Sequence, residues 1–295
     1  MSNQNLRQYK QQVDEIALHL IERRASVMVG AGFSRNARCV ANSNIQFFSW
    51  DELGILFYER LHGKQPDQNQ FLNPMQIAEE LEVVIGRTGL EQMIRQSIPD
   101  LQIVPSEIHE NLMELPWNDV FTTNYDTLLE RAAEKVISQR YDIVVNQEDL
   151  VFSTRPRIIK LHGSFPSQRP FIVTEEDYRR YPIDFAPFVN TVQQSLIENT
   201  LCLIGFSGRD PNFLKWIGWI RDNFGNNTSL IYMIVYEEDF SLADQRLFSK
   251  RNIVPVNLVT LTENSMSIEK AFSEFFNYLK DEIDKKYPFL WSNHD

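Results

Sequence analysis

Apolar side chains recur at helical spacing at the start of the chain, at Leu6, Tyr9, Val13, Ile16, Ala17, Leu20 and Ile21, which predicts an amphipathic opening helix. The run Ala25-Ser26-Val27-Met28-Val29 then closes on Gly30-Ala31-Gly32, the pattern of a buried strand entering a glycine turn. From Ser49 to about Ile98 the periodicity is helical again. Ser49 stands as an N-cap with Glu52 three residues on, as in a capping box; Gly63 ends one helix and a second begins near Pro74. Further strands are expected at 119–121, 141–145, 157–161, 171–173, 201–205, 230–235 and 253–256, with helices at 125–137, 185–198, 212–223 and about 267–285.

Strands that alternate with helices predict an α/β fold, a doubly wound, mostly parallel, Rossmann-like sheet. The helical block 47–115 falls between the first and second strands and is expected to be an inserted module packed beside the sheet. The length suits one such domain over 1–295. Ligands of these sheets bind outside the carboxyl ends of the strands, so the residues that follow each strand are the candidates for chemistry.

Composition narrows the classes of partner. A 43% hydrophobic chain has material for a core, and a net charge of −11 makes nucleic acid an unexpected partner, since no basic patch offsets it. Two cysteines, Cys39 and Cys202, cannot supply a four-cysteine zinc site and argue against a disulfide framework. No run of about 18 apolar residues occurs, and the first ten residues lack a signal-peptide core, so the expectation is a cytoplasmic chain without a membrane span.

Four strand ends carry polar or glycine-rich sequence. Gly30-Ala31-Gly32-Phe33-Ser34 allows close backbone approach to a pyrophosphate, although Asn36-Ala37 breaks the full dinucleotide fingerprint and no Walker lysine follows. Asp51 lies where a Rossmann dehydrogenase keeps its ribose-binding acid, but it opens a helix, where an acidic side chain complements the dipole. That speaks against a redox enzyme. Thr122-Thr123-Asn124-Tyr125-Asp126 places five hydrogen-bonding side chains at the end of a buried strand; helix capping by Thr123 or Asn124 accounts for one of them. Arg157 to Leu161 runs into His162-Gly163-Ser164, and a histidine there is a candidate general base. The same Leu-His-Gly triplet at 61–63 ends a helix, so His62 is read as structural. Gly205-Phe206-Ser207-Gly208-Arg209-Asp210-Pro211-Asn212 again reads as strand, turn, then helix, a second loop for the other half of a dinucleotide or a capped turn.

In the order and spacing of these four segments the chain resembles the sirtuin superfamily, and within it the sirtuin-like domains of bacterial anti-phage defence systems of the Thoeris and defence-associated sirtuin type. The carriers are GAGFS at 30–34, TTNYD at 122–126, KLHGS at 160–164 and GFSGRDPN at 205–212. The Pro-Asp-Phe-Arg segment of sirtuin deacetylases and their four-cysteine zinc module are both missing. The resemblance therefore implies a sirtuin-like NAD-binding domain that hydrolyses NAD⁺ to nicotinamide and ADP-ribose, with NAD⁺ as substrate and no metal.

On that resemblance Asn124 orients the nicotinamide ribose and a water, and His162 accepts a proton. Gly30, Ala31, Gly32 and Ser34 hold the pyrophosphate; Gly205, Ser207 and Asp210 contact the adenosine side. Thr123 lines the site, and Asp126 contacts the nicotinamide side or holds the loop. The resemblance also implies a homo-oligomer and a regulator, either a separate protein or a further domain of a longer chain, with phage as the trigger. Two rivals keep the same pocket. An NAD-dependent lysine deacylase would need acyl-lysine for turnover, and a sensor of NAD or ADP-ribose would bind without depleting NAD.

Overall fold

In a computed structural model of the chain, residues 3–40, 48–67, 70–166, 171–225, 227–236, 240–261 and 267–286 are described. The expected module begins one residue outside them, at 47.

The chain opens with α1 (Asn3–Ile21) and the fully buried strand β1 (Ala25–Val29). A short helix α2 (Ala31–Ser34) follows, then β2 (Arg38–Cys39), α3 (Trp50–His62), α4 (Pro74–Ser97), β3 (Ile103–Val104) and α5 (Glu107–Glu114). Next come β4 (Asp119–Thr122), α6 (Leu128–Ala133), β5 (Asp142–Val144) and β6 (Arg157–Lys160). The remainder is α7 (Glu175–Asp184), α8 (Ala186–Glu198), β7 (Thr200–Ile204), α9 (Pro211–Phe224), β8 (Ile231–Val235), α10 (Leu242–Lys250), β9 (Ile253–Asn257) and α11 (Ile268–Lys286).

Among the described residues seven strands form one parallel sheet in the order β5-β6-β4-β1-β7-β8-β9, while β2 and β3 pair antiparallel beside it. β1 lies between β4 and β7, with Met28 opposite Phe121 on one side and Leu203 on the other. The chain first fills one side of β1, where β6 enters between β4 and the edge strand β5, then crosses to the other. The strand order therefore reverses at β1, where an open sheet leaves a crevice at its carboxyl edge.

Alternate residues of each strand face opposite layers. Val27, Val29, Val120, Cys202, Ile204 and Ile234 meet α1, α5 and α11, which bring Leu20, Leu112, Phe275 and Phe276 into one core. Met28, Phe121, Ile159, Leu203 and Met233 meet α7, α8 and α9, which bring Tyr181, Phe188, Phe213 and Trp216 into a second. A third cluster joins α3 and α4 to Tyr125, Phe171 and Val173, so these two helices stand over the edge of the sheet where the site loops emerge. α5 lies between the first strand of the sheet and β4 in sequence, yet its apolar face joins the sheet layer and not α3 and α4.

The capping box that predicts the start of α3 is present: the Glu52 amide donates to Ser49 Oγ at 3.2 Å and the Ser49 amide to Glu52 Oε2 at 2.6 Å. Two expectations are corrected. Residues 171–173 are extended but join no ladder, because the Ile172 amide donates to the His162 carbonyl at 3.0 Å and the Val173 amide to Asp177 Oδ2 at 2.9 Å. The helix expected at 125–137 shrinks to α6. Asp126 Oδ1 accepts from the Leu128 amide at 3.2 Å, and Asp100 Oδ1 accepts from the Thr127 amide at 2.7 Å, so side chains take the amides of Thr127 and Leu128 where the helix starts.

Candidate active site

A cleft of about 560 Å³ opens where the chain leaves β1, β4, β6 and β7, within the range of small-molecule sites. All eleven residues singled out from the sequence line it: Gly30, Ala31, Gly32, Ser34, Thr123, Asn124, Asp126, His162, Gly205, Ser207 and Asp210. They come from four segments spread over 180 positions or more of the chain, and the switch in strand order at β1 brings their loops together.

The two glycine turns touch each other. The Gly30 amide donates to the Ile204 carbonyl and the Gly32 amide to the Gly205 carbonyl, both at 3.0 Å. Gly205 has φ +58°, and a Cβ built there would sit 2.1 Å from the Phe33 backbone nitrogen. Glycine is therefore required at 205 for both backbone shape and space. Tight packing is thus one real use of these glycines, and it occupies the amides of Gly30 and Gly32. Ala31 is exposed on the cleft side of the same turn.

The turn after β4 is tied to the turn after β1 by a buried polar chain. Asn124 Nδ2 donates to Ser34 Oγ at 2.9 Å, and Ser34 Oγ donates to Asp126 Oδ2 at 2.8 Å. Thr122 Oγ1 donates to the Val29 carbonyl at 2.8 Å and accepts from the Asn124 amide at 3.1 Å. Asn124 Oδ1 makes no hydrogen bond among the described residues and belongs to a side chain on the cleft wall. Neither Thr123 nor Asn124 caps a helix, since α6 begins only at Leu128. Both oxygens of Asp126 are occupied, Oδ2 by Ser34 of the turn after β1 and Oδ1 by the Leu128 amide, so its geometry is that of a residue holding the loop.

His162 leaves β6 with 2% of its surface exposed. Gly163 follows at φ +105°, and a Cβ there would lie 2.6 Å from the Phe171 ring, so only glycine lets the chain turn away and leave the imidazole at the cleft. The rings of Tyr178 and Tyr181 stand edge-on to the imidazole at 5.4 and 5.7 Å. Asp210 Oδ2 lies 4.0 Å from His162 Nε2 and accepts from the Tyr178 hydroxyl at 3.1 Å. Burial, reinforced by the Asp210 charge, holds the Tyr178 phenol well above its ordinary pKa, so it stays protonated and donates. Asp210 thus belongs beside His162 as well as to the loop expected to face adenosine.

The sequence does not single out several other lining residues. Trp50 and Met75 come from the ends of α3 and α4, and Tyr178 from α7, a helix that the apolar pattern misses because it is polar and contains Pro182. The available signal was its capping box, Thr174 with Asp177. Arg35 and Arg209 add positive charge at the rim. Arg35 is 3.1 Å from Glu52, while Arg209 meets no acid among the described residues. His62 closes α3 ahead of the left-handed Gly63 and packs at a tilt on Tyr58, outside the residues that line the cleft. Among the described residues no group of three or more His, Cys, Asp or Glu side chains is placed to hold a metal ion, and no helix is long and apolar enough to cross a membrane.

A family model described as a SIR2-like domain matches residues 118–256, which hold three of the four cleft segments. Among curated proteins the chain is similar to an NAD(+) hydrolase ThsA of Acinetobacter baumannii (strain 532279), 28% identical over 230 residues, covering 75% of this chain and 44% of that protein. It is also similar to Defense-associated sirtuin 2 of Bacillus subtilis, 23% identical over 177 residues, covering 58% of this chain and 17% of that protein. The chain spans less than half the length of either relative. A solved structure of a mutant Sir2 homologue in complex with ADP ribose superposes with a TM-score of 0.50 at 15% identity, over 93% of this chain and 98% of that one, a likeness of fold. The region matched by the SIR2-like model thus spans the part of the parallel sheet that carries three of the four converging loops.

Proposed function

We propose that the chain binds NAD⁺ in this cleft and hydrolyses the bond between nicotinamide and ribose. Water oxygen bonds to the ribose C1′, the C1′–N bond breaks with its electron pair going to nicotinamide, and the water proton passes to His162. The products are nicotinamide and ADP-ribose. Asn124, fixed through Nδ2 by Ser34, orients the ribose and the water with its Oδ1. The positive charge that develops on the sugar is met by dipoles already in place, a term that usually dominates such steps. Gly30, Ala31, Gly32 and Ser34 border the pyrophosphate, Gly205 and Ser207 the adenosine side, and Thr123 the dinucleotide on the β4 side of the cleft. Asp126 holds its loop, and Asp210 faces both His162 and the dinucleotide.

The observation that carries this reading is the meeting of Asn124, His162 and both glycine turns on one cleft of about 560 Å³. The similarity to proteins called NAD(+) hydrolase and defense-associated sirtuin supports it. We further propose that the chain acts in anti-phage defence by depleting NAD⁺, as a cytoplasmic homo-oligomer restrained by a partner or further domain. We take 1–295 as a single domain with the helical module 47–115, of which the ends of α3 and α4 wall the cleft, and the chemistry as metal-independent.

The test is incubation of the purified protein with NAD⁺, without acyl peptide, followed by quantification of nicotinamide and ADP-ribose. Wild type is expected to release both, and Asn124→Ala and His162→Ala to fall by about a hundredfold or more. Turnover only with acyl-lysine would establish the deacylase instead. Binding without turnover, even in cells challenged with phage, would mark a sensor, and absence of binding would remove NAD⁺ from the site.

A further inference from the structure

Asn212, the second residue of α9, is only 1% exposed although helix N-termini ordinarily reach solvent. Its Nδ2 lies 3.4 Å from His162 Nε2, and its Oδ1 is buried with no hydrogen-bond partner among the described residues. An orphaned buried carbonyl is costly, so a protein that keeps one needs a use for it. Leucine would fill the same space without that cost. Asp210, two residues earlier, brings Oδ2 to 4.0 Å from the same Nε2, held by the Tyr178 hydroxyl, while its Oδ1 caps the Phe213 amide at 2.9 Å. The start of α9 therefore presents a carboxamide and a carboxylate to one nitrogen of the imidazole.

We infer that Asn212 is a positioning residue for His162, pairing with Nε2 in both of its protonation states. In the neutral ring Asn212 Nδ2 donates to the Nε2 lone pair, the same lone pair that the incoming proton takes, so the carboxamide lets go as the proton arrives. Once Nε2 has taken a proton, half a turn of the carboxamide brings Oδ1 round to accept it, and the orphaned oxygen gains its partner. A carboxamide can serve both states because it carries a donor and an acceptor on one plane, which neither leucine nor aspartate provides. Titratable groups facing the ring include Asp210 on α9 and Tyr178 and Tyr181 on α7; the Tyr178 phenol stays protonated and donates to Asp210, and Asp210 places its carboxylate beside Nε2.

The inference rests on the NAD⁺-hydrolysis reading for its catalytic meaning, so the test has one arm with turnover and one without. Asn212→Leu is expected to lower kcat about ten- to a hundredfold with KM for NAD⁺ within about twofold of wild type. It should also move the acidic limb of the rate profile down by about one pH unit, since the imidazolium loses an acceptor. Asn212→Asp should move that limb up. In the second arm the His162 imidazole is titrated by NMR in the same proteins without NAD⁺, with the same directions expected. Unchanged kcat and unchanged limb in Asn212→Leu, with an active wild type, would overturn the inference and leave the hydrolase standing. An inactive wild type would count against the hydrolase, and the NMR titration alone would then decide: equal His162 values in all three proteins overturn the positioning role. Should Asn212→Leu fail to fold, Asn212→Ser takes its place in both arms.

Discussion

At the scale of single residues, the chain uses two buried histidines in opposite ways. His162 reaches the cleft, while His109, 1% exposed in α5, supports it from below. Its ring packs on Phe33 of the first glycine turn at 4.7 Å, and its Nδ1 lies 2.9 Å from Ser106 Oγ. Burial, with the nearby charge of Arg131 adding to it, depresses the His109 pKa from 6.5 to about 3. The native ring therefore stays neutral while the unfolded chain takes up a proton below pH 6.5. This contribution is complete above pH 6.5 and is lost as the pH falls from there towards 3. Between pH 7.5 and 5.5 it removes about 1.4 kcal/mol. Urea unfolding at both pH values checks it: His109→Gln should show a drop smaller than wild type by about that amount. Equal drops would mean that His109 is not the sensitive group.

At the scale of elements, β6 and α6 are joined by a buried ion pair that also carries the Asn124 loop. Lys160, 1% exposed, pairs with Glu130 at 3.0 Å and donates to the Asp126 carbonyl. Removing one partner of such a pair leaves an uncompensated charge in the core, at a cost of about 3–5 kcal/mol. Lys160→Met is expected to lose that much in denaturant unfolding, and the double variant Lys160→Met with Glu130→Leu to recover most of it. A double variant no more stable than the single one would show that the lysine acts through the Asp126 carbonyl and not through charge. The packing of α3 and α4 over Tyr125 and Phe171 was foreseeable only in part. The capping box at Ser49, the proline start at Pro74 and the glycine end at Gly63 are local signals and appear where the sequence puts them. The strand expected at 171–173 failed because its amides are taken by His162 and Asp177, contacts between segments that no window of sequence contains.

At the scale of the whole molecule, the reversal of strand order at β1 makes one site out of four loops. A ligand that binds only the assembled cleft must stabilise the fold by mass action. On the NAD⁺ reading, NAD⁺ at about a hundred times its Kd adds about 2.7 kcal/mol, which raises Tm by about 5–10 °C for a domain of this size. Differential scanning fluorimetry of the His162→Ala protein, which should bind without consuming the ligand, reads this directly. No rise at saturating NAD⁺ would separate the cleft from the dinucleotide.

The sequence alone determined most of the sheet strands and helices and all of the candidates. Its apolar runs of strand length, its helical periodicities and its turn chemistry are short-range properties, and they suffice for an α/β sheet with polar segments at four strand ends. The pairing of those ends was decided by the tertiary structure. That Ser34 bridges Asn124 and Asp126, that Gly205 must be bare to let Phe33 pass, and that Asp210 and Asn212 turn towards His162 are contacts between residues far apart in the chain. They depend on strand order and on close packing across loops, and composition and periodicity carry no information about either.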